Sequence, residues 1–204
     1  IGNNIIADIS KYFQCFQNIS SATYQVTVCV DQPVPGSRTP WKLSLNNNSS
    51  SGTNAVNVGH TFLIFSENVD GNIITRNVGF YPATNVSPFT TSVAQGALNN
   101  DESHSYNISA SFMVNSTMFF NMLVFVSKGN TTGYNYNLST NNCTSFAINT
   151  LEAGHIYLPS TVGYWYGGVG NDPGDLGEDI KNSNAPGIMK SSVFLPHSNA
   201  GACN

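Results

Sequence analysis

Tyr136-Asn137-Leu138-Ser139-Thr140-Asn141-Asn142-Cys143-Thr144-Ser145-Phe146-Ala147-Ile148-Asn149-Thr150-Leu151 is a polar, extended run that stops at a thiol and continues as an apolar helical pattern. The switch places Cys143 at a helix N-terminus. Unpaired N–H groups and the macrodipole there stabilise a thiolate, the form of cysteine that attacks a carbonyl. Phe146, Ala147, Thr150 and Leu151 fall on or beside the stripe that carries the thiol, and Gly154 is the expected C-terminal stop. Upstream, Val56-Asn57-Val58-Gly59-His60-Thr61-Phe62-Leu63-Ile64-Phe65 puts a histidine at the mouth of a strand. A cysteine on a helix start and a histidine on a strand supply a nucleophile and its base.

Residues 23–31 alternate Tyr24, Val26, Val28 and Val30 with Gln25, Thr27, Cys29 and Asp31, the period of a half-buried strand. Pro33, Pro35, Gly36 and Pro40 end it. Two more strand-like runs, 57–66 and 72–81, flank Asn68-Val69-Asp70-Gly71, and Asp-Gly in that setting signals a two-residue hairpin. With Asp70 and Gly71 at the turn, the residue facing His60 lies near Tyr81, and Asn77 shares that face one or two pairs inward. Residues 106–114 alternate again. Ile5, Ile6, Ile9, Phe13 and Phe16 predict an amphipathic helix across 4–18. A second is expected over 116–126, with Ser116 as N-cap and Gly129 just past its end. Residues 45–54 and 82–104 read as loops. The pattern predicts one α+β domain over residues 1–204, an antiparallel sheet packed against helices.

Composition excludes several function classes. Only 9% of the 204 residues are charged, and polarity comes instead from 28 Asn and many Ser, Thr and Gly. The net charge of −4, with 7 Lys and Arg, lacks the basic footprint of a nucleic-acid binder. No apolar run reaches the roughly 18 residues of a membrane span; the longest, near 118–126, is interrupted by Asn121. Phosphate loops and serine-nucleophile elbows are missing from the sequence, so no cofactor is expected.

The low-charge surface and an opening residue, Ile1, that is not an initiator methionine point to an exported, processed chain, where disulfides form. Among the four cysteines, a nucleophilic Cys143 leaves Cys15–Cys29 as the expected bridge and Cys203 over; the alternative pairs Cys143 with Cys203. Asn-x-Ser/Thr sequons are numerous, and the one at Asn142 would set a glycan beside the nucleophile. A bacterial secreted or periplasmic protein, which leaves sequons bare, fits best.

Of the four histidines, His155 follows Cys143 by a helix of about 18 Å at ~1.5 Å per residue, and His104 and His197 lie in polar, turn-rich segments. His60 remains. Gly59-His60 at a strand start, followed by Tyr136-Asn137-Leu138 and Asn142-Cys143-Thr144-Ser145-Phe146, resembles the circularly permuted branch of the papain-like NlpC-type superfamily. That branch includes lecithin-retinol acyltransferase-like enzymes, deSUMOylating isopeptidases and bacterial amidases or peptidases. The matching motifs cover about a third of the chain, chiefly 56–81 and 134–159, and permutation accounts for the His-before-Cys order.

The resemblance implies a permuted papain-like core in which Cys143 is the nucleophile, His60 the base, and a polar residue from the strand after His60 orients the imidazole. Asn77 is the candidate for that third role. It also implies an oxyanion hole formed by the Cys143 N–H and a nearby donor, with Asn141 or Asn142 conceivable. The expected activity is a thiol hydrolase or transferase acting on amide bonds in peptide, cell-wall peptide or protein. Tyr164, Trp165 and Tyr166 are candidates to line the substrate cleft. The carboxylates Asp172, Asp175, Glu178 and Asp179 do not match a calcium loop, and helix capping by Asp172 or Asp175 accounts for them without a metal. The rival reading is a non-catalytic exported binding or structural module, with a Cys143 of ordinary acidity and no cleft leading to it.

Overall fold

The computed structural model describes residues 2, 4–44, 55–89, 93–132 and 135–203. In chain order the elements are α1 (Ile9–Phe13), β1 (Ala22–Asp31), β2 (Lys42–Ser44), β3 (Ala55–Asn57), β4 (His60–Val69), β5 (Asn72–Pro82) and β6 (Val93–Asn100). There follow β7 (Ser105–Val114), α2 (Ser116–Thr132), β8 (Asn135–Asn137), α3 (Cys143–Ala153), β9 (Gly163–Trp165), β10 (Gly168–Gly170), α4 (Pro173–Asn182) and β11 (Met189–Pro196). A seven-stranded antiparallel sheet in the order β11-β7-β1-β4-β5-β6-β8 dominates, so the α+β class expected from the sequence is what the chain forms.

Alternation in β1 is used on both faces. Val26, Val28 and Val30, with Leu63 and Phe65 of β4, pack into one core with Phe119 and Met122 of α2, Phe146 and Leu151 of α3, and Leu176 and Ile180 of α4. Cys29 faces the other way, with Phe62 and Ile64. That geometry overturns the Cys15–Cys29 pairing: the first helix packs on the valine side, and the bridge is Cys15–Cys203, with Cys29 and Cys143 free. The Asp70-Gly71 hairpin forms as read, with Val69 paired to Asn72 and both turn residues at positive φ, 51° and 91°.

Other boundaries move. The helix expected across 4–18 shrinks to α1, because Ile6 N–H donates to the Leu98 carbonyl and Ile5 bridges Asn99, drawing the start of the chain onto β6. Strand β6 occupies part of the expected 82–104 loop, and α2 runs past Gly129 to Thr132, capped by Asn115 rather than Ser116. The expected loop at 45–54 lies outside the described residues. Among the described residues no helix is long and apolar enough to cross a membrane.

Candidate active site

Helix α3 starts at Cys143 because Asn142 caps it. The Asn142 Oδ1 accepts the Thr144 and Ser145 N–H groups at 2.9 and 3.0 Å, and Ser145 Oγ accepts the Asn142 N–H at 2.7 Å. A bond of 3.0 Å between the Thr61 and Thr144 hydroxyls pins this helix start to the mouth of β4. There Gly59, at φ 72°, turns the chain where a side chain would meet Pro33 Cδ at 2.7 Å, and delivers His60 to the strand end.

His60 and Cys143, 83 residues apart in sequence, are brought within interaction range of each other, and both are buried. His60 Nε2 lies 2.9 Å from Asp101 Oδ2, which leaves the other ring nitrogen for the sulfur. The second Asp101 oxygen accepts from the Tyr81 hydroxyl at 2.7 Å. Gly79 makes this pairing possible: a Cβ there would overlap Asp101 Oδ2 and stand 2.6 Å from His60 Nε2. Burial opposes the imidazolium, but the charge and hydrogen bond of Asp101, joined by those of Cys143, push His60 up to about 10. Burial likewise opposes the thiolate; His60, the Thr61 N–H and the Thr144 hydroxyl outweigh it and hold Cys143 below its ordinary value. The pairing therefore favours a thiolate beside an imidazolium over two neutral groups.

Tyr136 completes the centre. Its hydroxyl lies within reach of the Cys143 side chain and backbone N–H, and burial, followed by the charge of Cys143, pushes its own ionisation well up. It stays a neutral donor beside the sulfur. A narrow cleft with a volume of about 30 Å³ reaches Cys143 and Tyr136 between Trp41, Val58, Pro88 and Trp165 on its apolar walls and the stretch Asn171, Asp172, Pro173. Trp41 meets Phe89 edge-on at 4.9 Å at the cleft's side.

Some expected residues lie elsewhere. Asn77 sits on the His60 face of β5, yet its amide donates to Asn199 Oδ1 at 2.8 Å; Asp101, delivered by the end of β6, takes the imidazole instead. Asn142 is consumed as the helix cap, its Nδ2 donating to the Leu138 and Asn171 carbonyls, and Asn141 Nδ2 donates to the Asn135 carbonyl. The Tyr136 hydroxyl, not either amide, lies beside the Cys143 N–H. Of the aromatic trio only Trp165 lines the cleft; Tyr164 and Tyr166 point to solvent, 78% and 89% exposed. Asp172 is the α4 N-cap, and Asp175 and Asp179 bind Arg38 at 2.8 Å each, so the acidic run is structured by capping and ion pairing. Asp101 and Tyr136 escaped the sequence reading, although the latter stands in the quoted Tyr136-Asn137-Leu138 motif. No protein-family model, curated protein or solved structure matches this chain.

Proposed function

We propose that the protein is a thiol hydrolase or transferase of permuted papain-like type that acts on amide bonds, in peptide, cell-wall peptide or protein, through an acyl-enzyme at Cys143. The observation that carries this is the buried His60–Asp101 hydrogen bond beside a buried Cys143 at a helix start, with the Tyr136 hydroxyl next to the thiol. The thiolate attacks the scissile carbonyl carbon, and the carbonyl π electrons move to oxygen. The Cys143 N–H and the Tyr136 hydroxyl are placed to turn onto that oxyanion. Collapse breaks the C–N bond as the imidazolium gives its proton to the leaving amine, leaving a thioester. Water or another acceptor then attacks the thioester while neutral His60 takes its proton, and Cys143 departs as thiolate. Asp101, hydrogen-bonded to Nε2, holds the ring's tautomer and orientation.

A free, acidified Cys143 that opens on a cleft supports the enzyme over the non-catalytic module, which needs an ordinary or disulfide-bonded thiol and no cleft. The Cys15–Cys203 bridge supports an oxidising, exported setting. Incubation with peptidoglycan and with a protein substrate, scoring released peptides and ammonia, tests the reaction class. Iodoacetamide should modify Cys143 preferentially at neutral pH in a His60-dependent manner. Equal labelling in His60→Ala would refute an activated thiol.

A further inference from the structure

Behind the His60–Asp101 pair stand a second histidine and a second carboxylate that the mechanism above does not use. Residues 101–104 form a tight turn from β6 into β7, closed by the His104 N–H donating to the Asp101 carbonyl at 2.9 Å, with Ser103 at φ 70°. The two ends of this turn both reach the Tyr81 hydroxyl: Asp101 Oδ1 accepts it at 2.7 Å, and His104 Nδ1 lies 3.3 Å from it. At the other edge of the His104 ring, Nε2 lies 3.4 Å from Oδ2 of Asp31, the residue paired with His60 across β1 and β4. The His60 ring packs on both neighbours, its centre 4.2 Å from that of Tyr81 and 4.9 Å from that of His104. His60 and Asp101 are buried, whereas the side chains of His104 and Asp31 are 29% and 22% exposed.

Counting protons orders this chain. Burial, then the charge and hydrogen bond of Asp101, push the Tyr81 ionisation far up, so Tyr81 has one hydroxyl proton and keeps it. That proton is committed to Asp101, so toward His104 the tyrosine oxygen accepts and Nδ1 donates. We infer that Tyr81 and His104 are positioning residues that act through the second oxygen of Asp101, loosening its hold on His60 so that the ring can release its proton to the leaving amine. This rests on the thiol chemistry proposed above and adds a control on its acid step. Asp101 and Cys143 push His60 up to about 10, above the range where a general acid works best near neutral pH. A donor on Asp101 Oδ1 weakens the carboxylate's attraction for the ring proton, and the His104 N–H strengthens that donor by polarising the hydroxyl. Positive charge on the His104 ring, so close to His60, acts in the same direction. Asp31 holds the outer edge of His104 and with it the aim of Nδ1. The ionisable groups facing the His60 ring are thus Cys143, Asp101, Tyr81 and His104, with Asp31 beyond the last.

Heteronuclear NMR of protein carrying ring-nitrogen-labelled histidine tests this, because the shifts of the His60 nitrogens report its proton. The titration is run in Cys143→Ala, which removes the thiolate and leaves the Asp101 side alone, and the His60 signals are assigned by their loss in His60→Asn. Adding Tyr81→Phe should raise the proton affinity of His60 about tenfold, and adding His104→Phe should raise it by a smaller factor. Loosened packing would weaken the Asp101 contact and lower the affinity, so the direction separates tuning from damage. His104→Phe alters a partly exposed ring and guards against a folding defect in the Tyr81 variant. An unchanged or lowered affinity in His104→Phe or in folded Tyr81→Phe, with iodoacetamide labelling of Cys143 in the parent protein still dependent on His60, overturns the role of the outer pair and leaves the thiol chemistry standing. Labelling indifferent to His60 overturns the thiol chemistry and this inference with it.

Discussion

Gly79→Ala should disable the centre with a single methyl group that touches neither the thiol nor the cleft. The added Cβ would stand 2.6 Å from His60 Nε2 and 2.8 Å from Asp101 Cγ, while overlapping Asp101 Oδ2. Non-bonded carbons rest at about 3.5–4.0 Å, so the imidazole or the carboxylate retreats by roughly 1 Å. The His60–Asp101 bond, now 2.9 Å, is lost or bent. Without it His60 no longer holds its proton to about 10, and Cys143 climbs back toward its ordinary 9.0. A thiol of that acidity is about 1% ionised at pH 7. The thiolate that remains is intrinsically more nucleophilic, with a Brønsted slope of about 0.4–0.5, so iodoacetamide alkylation at pH 7 should fall by roughly tenfold. Turnover should fall by about 10²-fold, or ~2.7 kcal/mol, because it also needs the ring aimed at the leaving group. The assay is the pH dependence of Cys143 alkylation, with circular dichroism confirming the fold against an overpacking cost of about 1–3 kcal/mol. Asp101→Asn, which adds no atom, should displace the pH limb in the same direction. A folded Gly79→Ala protein whose limb coincides with the wild type refutes the account of how the thiol is acidified.

Tyr136→Phe should lower turnover by about 10–10³-fold while changing iodoacetamide alkylation only a few-fold, since alkylation forms no oxyanion; equal losses in both would remove Tyr136 from that role. Cys15→Ser opens a bridge between residues 188 apart and should cost about 2–5 kcal/mol, read as a lowered urea midpoint. For pH, His60 raised from 6.5 to about 10 stabilises the fold below 6.5 and loses that contribution as pH rises through 10. Cys143, lowered from 9.0, stabilises above 9.0 and loses it as pH falls. Between 6.5 and 9.0 the two contributions slope in opposite directions, the His60 one falling and the Cys143 one rising with pH, so they offset each other. Cys143→Ala should expose a melting temperature that declines across that window relative to wild type, and parallel curves would count against the ion pair.

The elements legible in the sequence are those whose signal is local. Alternation marks β1, β4, β5 and β7 because one or both faces are buried; Asp70-Gly71 marks its hairpin because the turn needs positive φ at both residues. The cysteine helix announces itself through the switch from a polar run to an apolar helical stripe at Cys143. Strand β6 does not: Val93-Ala94-Gln95-Gly96-Ala97-Leu98-Asn99-Asn100 is built of poor strand formers and is held by pairing to Phe80, Tyr81 and Pro82, a context the local pattern does not carry. Missing β6 hid Asp101 at its end, and the hairpin register then offered Asn77, correctly faced but two pairs too far along. Cys29 failed for a related reason. Its phase in the alternation already set it apart from the valines, but only the packing shows that the first helix lies on the valine side.

The chain's scarcity of charge gives its buried charges added meaning. With 7 basic and 11 acidic residues in 204, solubility rests on Asn and hydroxyl groups, and ionisable side chains need not be buried at all. Among the described residues, seven Asp, Glu and Arg side chains nevertheless are: Glu67, Arg76, Asp101, Asp172, Asp175, Glu178 and Asp179. Five of them lie away from the Cys143 centre and have structural partners. Glu67 accepts the Gln17 N–H, Arg76 holds the carbonyls of Ala200 and Gly201 in the disulfide-tethered tail, Asp175 and Asp179 share Arg38, and Glu178 binds Lys181. The remaining two, Asp101 and Asp172, are both at the Cys143 centre, one behind its base and one in the wall of its cleft. Desolvating a carboxylate costs several kcal/mol before any partner is found. An apolar residue of similar volume would pack as favourably at Asp101, so a carboxylate held there against the His60 imidazole fits the orienting role proposed for it, while Asp172 serves as the cap of α4.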